Sequence, residues 1–283
     1  MSFERNTDIA WCPGCGNFAI RAAVAELLGE LDVDQDKILM VSGIGQAAKL
    51  PHYLNVSFFD GLHGRAIPVA FAAKVVNPEL VVIAESGDGD MYGEGGNHMI
   101  HAMRRNVDIT VIVHDNQIYG LTKGQGSPTT ELGMKTSVQH WGMLSEQMNP
   151  IAMAIAMNAS FVARSFSGNK DHLKRVVREA IDHKGFSLVD VMQPCITFNK
   201  HNTFAWYRSR LYDVKEEHSE YDPYDRVKAF ERSLEWGERI PMGIIYRNSR
   251  LSFHELNPVL KSGLNLSQDN RPADVMEDLK AFR

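Results

Sequence analysis

Two short polar patches, Gly87-Asp88-Gly89-Asp90 and Asp115-Asn116-Gln117, carry the side chains best suited to chemistry. Each follows an apolar, β-branched run: Leu80-Val81-Val82-Ile83-Ala84 before the first, Ile109-Thr110-Val111-Ile112-Val113 before the second. Alone, Gly-Asp-Gly and Asp-Asn are turn peptides, and most turns bind nothing. Here a helix-like stretch from about Gly95 to Arg105 joins them, which makes a βαβ unit. Both loops then lie at the carboxyl ends of parallel strands, the edge where open α/β sheets bind ligands. Asp88 and Asn116 offer oxygens to a divalent cation. Mg²⁺ takes few protein oxygens and keeps the rest of its shell for water and phosphate. Backbone N–H groups and a helix N-terminus at the same edge suit phosphate. These residues point to a Mg²⁺–diphosphate site.

The chain has three cysteines, Cys12, Cys15 and Cys195. The loop Cys12-Pro13-Gly14-Cys15-Gly16 has the tight, glycine-rich form of a ligand loop, and Cys195 follows a strand-like run next to Pro194. Cys-x-x-Cys serves zinc, iron–sulfur or dithiol redox chemistry, and the pair alone does not choose among them. A tetrahedral site wants four ligands, and no fourth cysteine exists.

Other loops offer weaker signals. Gly43-Ile44-Gly45-Gln46-Ala47 follows the strand-like Ile38-Leu39-Met40-Val41 but lacks the third glycine and the correctly spaced acid of a dinucleotide fingerprint. A phosphate or ring contact is the reading left to it. His63 and Arg65 lie in Leu62-His63-Gly64-Arg65, either a helix-capping loop or a diphosphate contact. Lys49 and Lys123 are either solvated lysines or partners for a substrate carboxylate. The methionines at 91, 99, 103, 148, 153 and 157 read as core packing.

The elements that must position these residues alternate for about 180 residues. A helix begins near Asn17, an acceptable N-cap, and buries Ile20, Val24, Leu27 and Leu28 at helical spacing. A short helix from Gln46 to Tyr53 is disturbed by Pro51. Further helices run from Ile67 to Val76, Ile151 to Ala159 and Asp171 to His183. Strands follow at Phe161-Val162-Ala163 and Leu188-Val189-Asp190-Val191. Residues 1–11 read as an arm, 120–130 as a loop over the site, and 131–149 lack periodicity. The fold class is therefore α/β: a doubly wound, mostly parallel sheet over residues 1–195. Residues 196–283 form a C-terminal extension, rich in charge and aromatics and poor in strand signals, that packs on the sheet or on another subunit.

Bulk properties narrow the class. Of 283 residues, 44% are hydrophobic and 23% charged, as in ordinary globular proteins. The net charge of −5 and the lack of a basic stripe argue against nucleic acid as partner. No apolar run approaches the roughly 20 residues of a membrane span. The N-terminus lacks a charged-then-apolar signal pattern, so a cytoplasmic protein is expected, and its cysteines serve metal or redox use rather than disulfides.

Taken together, the motifs resemble a known family. Gly87-Asp88-Gly89-Asp90 with Asn116 is similar to the thiamin diphosphate/Mg²⁺ motif. Trp11-Cys12-Pro13-Gly14-Cys15-Gly16, Ser42-Gly43-Ile44-Gly45, Leu62-His63-Gly64-Arg65, Tyr119-Gly120-Leu121-Thr122-Lys123-Gly124-Gln125 and Gln193-Pro194-Cys195 resemble, in the same order, the β subunit of 2-oxoacid:ferredoxin oxidoreductases, most closely the 2-oxoglutarate type. The resemblance covers roughly residues 8–250. It implies the thiamin-diphosphate-binding fold. It implies Mg²⁺ on Asp88, the Asn116 side chain and the Ile118 carbonyl, and thiamin diphosphate against Ile44, Gly45, Gln46, Ala47, His63, Gly89, Asp90, Gly120 and Leu121. Lys49, Leu121 and Lys123 would sit near the 2-oxoacid. Cys12, Cys15 and Cys195 would hold an iron–sulfur cluster. The implied reaction is decarboxylation of the 2-oxoacid, acyl transfer to coenzyme A and one-electron transfer to ferredoxin, or the reverse. It needs a partner α subunit, which supplies the carboxylate that assists through the aminopyrimidine.

One departure stands out. Family members with a [4Fe–4S] cluster usually carry Cys where this chain has Gln46, and an amide is a poor ligand for iron in a soft sulfide cluster. A [4Fe–4S] cluster with a non-cysteine ligand, a [3Fe–4S] cluster and no cluster all remain open; the retained cysteines favour a cluster. A non-oxidative thiamin-dependent decarboxylase and a zinc-stabilised structural module are the alternative readings.

Overall fold

The computed structural model describes residues 3–263, 265–268 and 275–280. The remainder of the expected extension, like Met1 and Ser2, lies outside the described residues. Eight strands form one sheet. In chain order they are β1 (Ile38–Ser42), β2 (Ser57–Asp60), β3 (Val81–Gly87), β4 (Thr110–Asp115), β7 (Phe161–Phe166), β8 (Ser187–Met192), β9 (Leu211–Asp213) and β10 (Ile240–Arg247). A two-residue hairpin, β5 (Ile118–Tyr119) with β6 (Gln125–Gly126), stands apart. The sheet order is β2-β1-β3-β4-β8-β7-β10-β9. The first six strands in that order are mutually parallel. β10 runs antiparallel to β7, and β9 runs parallel to β10.

The helices that cover the parallel part of the sheet include α1 (Asn17–Glu30), α2 (Ala66–Val76), α3 (Gly96–Arg105), α4 (Pro150–Ala156) and α5 (Lys170–Asp182). Strand side chains alternate between two apolar layers, as a pleat with period two requires. Val82, Ala84, Val111 and Val113 face the layer that includes α2, α3 and α4. Ile83, Ile112, Val189 and Val191 face the layer that includes α1 and α5. Burial on both faces explains why these strands read as continuous apolar runs. Ile20, Val24, Leu27 and Leu28 of α1 are fully enclosed, each worth roughly 2 kcal/mol by apolar transfer. Met91, Met99 and Met103 are core residues, and Met148, Met153 and Met157 pack against that core.

Two expectations need correction, the α1 N-cap and the strand content after residue 195, and two details are added. The α1 N-cap is Gly16, not Asn17. Asn17 is instead buried, with its Oδ1 2.8 Å from Nδ1 of His114 on β4. The N-terminal arm is paired: Arg5 N donates to the Tyr53 carbonyl at 3.0 Å, and Phe3 is buried. The π-helical turn Gly89–Glu94 precedes α3. Most importantly, the stretch after 195 supplies two strands, β9 and β10, that extend the main sheet. The reading of 196–283 as poor in strands missed them.

A buried polar knot fastens this later stretch to α5. His172 Nδ1 lies 2.8 Å from Ser165 Oγ, and its Nε2 lies 3.0 Å from Asp213 Oδ2. Ser165 is fully buried, so this Ser-His-Asp arrangement is structural rather than nucleophilic. Asp213 also accepts Arg175 Nη2 at 2.9 Å and caps the short helix Val214–Glu217 through the N–H groups of Lys215 and Glu216. Burial pushes the Asp213 carboxyl upward. The bonds from His172, Glu216 and Lys215 outweigh that push and hold it below its ordinary value. A depressed carboxyl contributes stability that is complete above its unfolded value near pH 4 and is lost as pH falls through the folded value. Asp213→Asn is expected to cost about 2 kcal/mol in urea unfolding at pH 7. It is also expected to flatten the decline in stability below pH 4; an unchanged acid limb would contradict the assignment.

Candidate active site

The chain leaves β1 towards β2 at one side, returns past β1 through α2 to β3, and moves on to β4. This change of direction places a topological switch point between β1 and β3, where the loops after the two strands part and a ligand crevice opens. A cleft of about 490 Å³ lies there. Its lining comes from the loops after four strands: Ile44, Gly45, Gln46 and Ala47; His63; Gly87, Asp88, Gly89 and Asp90; and Asn116, Ile118, Tyr119, Gly120, Leu121 and Thr122.

The floor is acidic and buried. Asp88 is 1% exposed, and its Oδ2 accepts Ser127 Oγ at 2.5 Å and Thr129 Oγ1 at 2.6 Å. Thr129 Oγ1 also lies 2.8 Å from Asp115 Oδ1. One hydroxyl has one hydrogen and cannot donate to both carboxyls, so one contact needs a proton on the acid. Burial, then the charges of Asp190 and Asp88, push Asp115 well above the usual carboxylate range. Burial also raises Asp88, to about 6, against the opposing hydrogen bonds from Ser127, Thr129 and the N–H groups of Asn116 and Gly89. Asp88 makes no ion pair among the described residues.

Close approach dictates the glycines. A Cβ on Gly89 would stand 2.3 Å from the Tyr119 ring, whose hydroxyl donates to the Gly89 carbonyl at 3.2 Å. A Cβ on Gly43 would meet Asp90 Oδ2 at 1.9 Å. Asp90 Oδ1 accepts Gly64 N at 2.9 Å and lies 3.6 Å from His63 Nδ1. Tyr92, in the same π-helical turn, donates to Asp190 Oδ1 at 2.9 Å. Arg164, 2% exposed, holds the other oxygen of Asp190 at 3.3 Å.

This arrangement fits a metal-bound diphosphate. The Asp88 carboxylate, the Asn116 amide oxygen and the Ile118 carbonyl are hard oxygen donors of the kind Mg²⁺ takes. Asn116 is braced for this, since its Oδ1 accepts Ile118 N at 3.0 Å and its carbonyl accepts Asn199 Nδ2 at 3.1 Å. Gly45 and Gly120 have open space where a side chain would stand, which leaves bare backbone facing the cleft.

The cysteine loop sits at the same sheet edge. Gln193 follows β8, and its Nε2 donates to Cys15 Sγ at 3.4 Å. Burial, and then the nearby Cys195 and Cys12, push the Cys15 thiol up to about 11 despite a bond from Asn17 N. Ligand atoms of His63, Asp90 and Glu94 all lie within 4.8 Å of one another beside the cleft. Trp11 Nε1 donates to the Gln46 carbonyl at 2.7 Å and so joins the cysteine loop to the cleft. Gln46 Oε1 is buried without a hydrogen-bond partner.

The chain is similar to known proteins in both sequence and fold. Residues 40–191 match the thiamine pyrophosphate enzyme C-terminal TPP-binding domain, and residues 195–262 match the C-terminal family of the pyruvate ferredoxin oxidoreductase β subunit. The 2-oxoacid:ferredoxin oxidoreductase β subunit of Saccharolobus solfataricus is 45% identical over 94% of this chain and 90% of its own length. The chain belongs to the 2-oxoacid:ferredoxin oxidoreductase β-subunit family. Within the family, the 2-oxoglutarate oxidoreductase subunit KorB of Mycobacterium tuberculosis is 40% identical, over 70% of this chain and 53% of its own. A solved 2-oxoglutarate:ferredoxin oxidoreductase from Magnetococcus marinus, with 2-oxoglutarate, coenzyme A and succinyl-CoA bound, superposes with a TM-score of 0.89. It is 32% identical and covers 99% of this chain and 94% of its own.

Set against the sequence expectations for this family member, the cleft gathers Ile44 to Ala47, His63, Asp88 to Asp90, Asn116, Ile118, Gly120 and Leu121. Lys49 and Lys123 lie outside its lining. Lys49 is half-buried on the 3₁₀ segment Ala47–Tyr53; Lys123 is exposed at φ +81°. Sequence reasoning missed Gly87, Tyr119 and Thr122 as lining, and Ser127 and Thr129 as the hydroxyls on Asp88. The hydroxyl run Ser127-Pro128-Thr129-Thr130 was the available signal. Gly89→Ala is expected to weaken thiamin diphosphate binding about tenfold or more by equilibrium dialysis, because the methyl must displace the Tyr119 ring. Adding Tyr119→Ala is expected to recover part of the loss; a Gly89→Ala variant with unchanged affinity would contradict the packing argument.

Proposed function

We propose that this chain is the thiamin-diphosphate- and Mg²⁺-binding subunit of a 2-oxoglutarate:ferredoxin oxidoreductase. Paired with an α subunit, it would decarboxylate 2-oxoglutarate, deliver the acyl group to coenzyme A and pass electrons singly through an iron–sulfur cluster to ferredoxin, or run the reverse carboxylation. The observation that carries the reading is the Trp11–Gln46 bond of 2.7 Å, which couples the Cys12–Cys15 loop directly to the cofactor cleft. A non-oxidative decarboxylase has no need of a cysteine loop joined to the cofactor cleft.

Each residue has a role in this reading. Asp88, the Asn116 side chain and the Ile118 carbonyl would ligate Mg²⁺. Ile44 to Ala47, His63, Gly89, Asp90, Gly120 and Leu121 would hold thiamin diphosphate, which supplies the electron sink that decarboxylation needs. The backbone of Gly45 and Gly120 would approach the cofactor closely. Cys12, Cys15 and Cys195 would hold a cluster of the [4Fe–4S] type, whose fourth position is not a cysteine. Lys49 and Lys123 would meet the substrate carboxylates by charge-assisted bonds. The left-handed backbone of Lys123 supports its assignment, because a non-glycine residue held there is strained and such strain concentrates at working sites. The KorB relatives and the 2-oxoglutarate-bound neighbour support the diacid substrate.

The direct test is anaerobic turnover by the αβ complex with 2-oxoglutarate, coenzyme A and a one-electron acceptor, alongside iron and sulfide analysis. Acceptor reduction that requires both substrates, with iron present, is expected. Decarboxylation without acceptor reduction would move the assignment to a non-oxidative enzyme, and zinc in place of iron to a structural module. For the substrate lysine, Lys123→Ala is expected to raise KM for 2-oxoglutarate about tenfold while affecting pyruvate less. Equal effects on both acids would contradict its role.

A further inference from the structure

Two buried ionisable groups beneath the cysteine loop have no part in the roles above. Glu85 on β3 and His114 on β4 are both fully enclosed. Their side chains leave the sheet on the face that α1 covers, the same face as Ile83 and Ile112. Glu85 Oε2 lies 3.5 Å from His114 Nε2, and neither atom has a hydrogen-bond partner elsewhere among the described residues. His114 Nδ1 lies 2.8 Å from Oδ1 of Asn17, the first residue of α1. The backbone N–H of Asn17 in turn bonds Cys15 Sγ, which also accepts Gln193 Nε2 at 3.4 Å. A polar chain thus runs from Glu85 through His114 and Asn17 to a sulfur of the cysteine loop. We propose that Glu85 is a positioning residue for the redox group on the cysteines: as proton donor at the far end of this chain, it fixes the Asn17 N–H that points at Cys15 Sγ and so sets the potential of that group. The inference rests on the proposed function, which requires an iron–sulfur cluster there.

The hydrogens on this chain follow from its donors and acceptors. An amide oxygen only accepts, so the His114 hydrogen sits on Nδ1. Burial pushes the imidazole down to about 3, so it is neutral near pH 7 and Nε2 presents a lone pair to Glu85. A carboxylate there would set lone pair against lone pair, whereas a carboxylic acid donates its O–H. A proton on the imidazole instead would make an ion pair, stripping two ions of their hydration for one attraction at 3.5 Å. The surroundings also oppose a charge on Glu85. Burial, and then Asp90 and Asp60, push its carboxyl well above the usual carboxylate range. Ser42, its register partner on β1, gives its hydrogen to Asp60 Oδ1 at 2.8 Å, and the other oxygen of Asp60 lies 2.7 Å from His52 Nε2.

The link to the redox group is the N–H on the sulfur. Hydrogen bonds to cluster sulfurs raise the reduction potential, because they stabilise the more negative reduced state. The Asn17 N–H holds its aim because His114 anchors the side chain of the same residue. Without a donor at position 85, His114 Nε2 is buried and unpaired, which is costly enough for the ring to turn or to exchange tautomers. The Asn17 anchor is lost with it.

The experiment is a redox titration of the anaerobically purified αβ complex, followed by electron paramagnetic resonance, in the native protein, Glu85→Gln and Glu85→Leu. Glutamine keeps an uncharged N–H donor, so its midpoint is expected to match the native one. Leucine removes the donor, and the reduced-to-oxidised ratio at the native midpoint is expected to fall by about threefold or more. Thiamin diphosphate affinity is expected to stay within about twofold in both variants. The infrared spectrum of the native complex near pH 7 is expected to hold a protonated-carboxyl band that Glu85→Gln lacks. A midpoint that rises in Glu85→Gln would place a charge on Glu85, and one that stays put in Glu85→Leu would break the link to Cys15; either overturns the proposal alone. A native complex that takes up no iron would overturn the function on which it rests.

Discussion

The site depends on one constraint: a carboxyl, Asp88, buried at the end of a central parallel strand without a cationic side chain beside it. Two hydroxyls from a distant loop, Ser127 and Thr129, clamp it from one side. Asp115 and Asp190 crowd the same region from β4 and β8. The buried guanidinium of Arg164 holds Asp190 and reaches Asp115, which leaves Asp88 without a cation of its own. Burying acid groups in this excess is costly unless they are protonated or offset by a cation. In the proposed function an oxygen-ligated divalent ion would supply that offset, so the proposed Mg²⁺ would have an electrostatic role as well as a catalytic one.

The parallel topology makes the constraint productive. Because β1, β2, β3 and β4 all point the same way, their following loops converge on one edge. The later part of the chain stiffens that edge from behind. Trp236 lies 5.7 Å from the Arg164 guanidinium, Arg164 holds Asp190, and Asp190 holds Tyr92 of the turn that carries Gly89 and Asp90. Residues after 195 are therefore mechanically continuous with the cofactor turn. The His172–Asp213 knot at the other end of the sheet fastens the same segment to α5.

Much of this was legible in the sequence. The βαβ unit around Asp88 and Asn116 reads directly, because strands buried on both faces are near-continuous apolar runs and their loops are rich in glycine. The structure gathers the lining residues named by the resemblance. Strand β10 was hidden by Pro241 and Gly243, residues that argue against a strand interior. It tolerates them because Pro241 pairs with short β9, and Gly243, at φ +99°, faces the Asp213 carboxylate 3.3 Å from where its Cβ would be. The antiparallel direction of β10 had no local signature. Ser127 and Thr129 were hidden for another reason: their bond to Asp88 spans some 40 positions, and hydroxyl residues in a glycine-rich loop look like any turn. Gln193 stands in a quoted motif, but its contact with Cys15, 178 positions away, was invisible for the same reason.

The central claim is that the Asp88 carboxylate and its neighbours build an oxygen-ligated metal–diphosphate site. Its most direct test is the affinity of the αβ complex for thiamin diphosphate, with and without Mg²⁺, in the native protein and in Asp88→Asn. The account predicts that native binding requires Mg²⁺, and that Asp88→Asn loses it by a hundredfold or more while the cofactor-free complex melts no earlier. Native-like binding in Asp88→Asn, or binding indifferent to Mg²⁺, would contradict it.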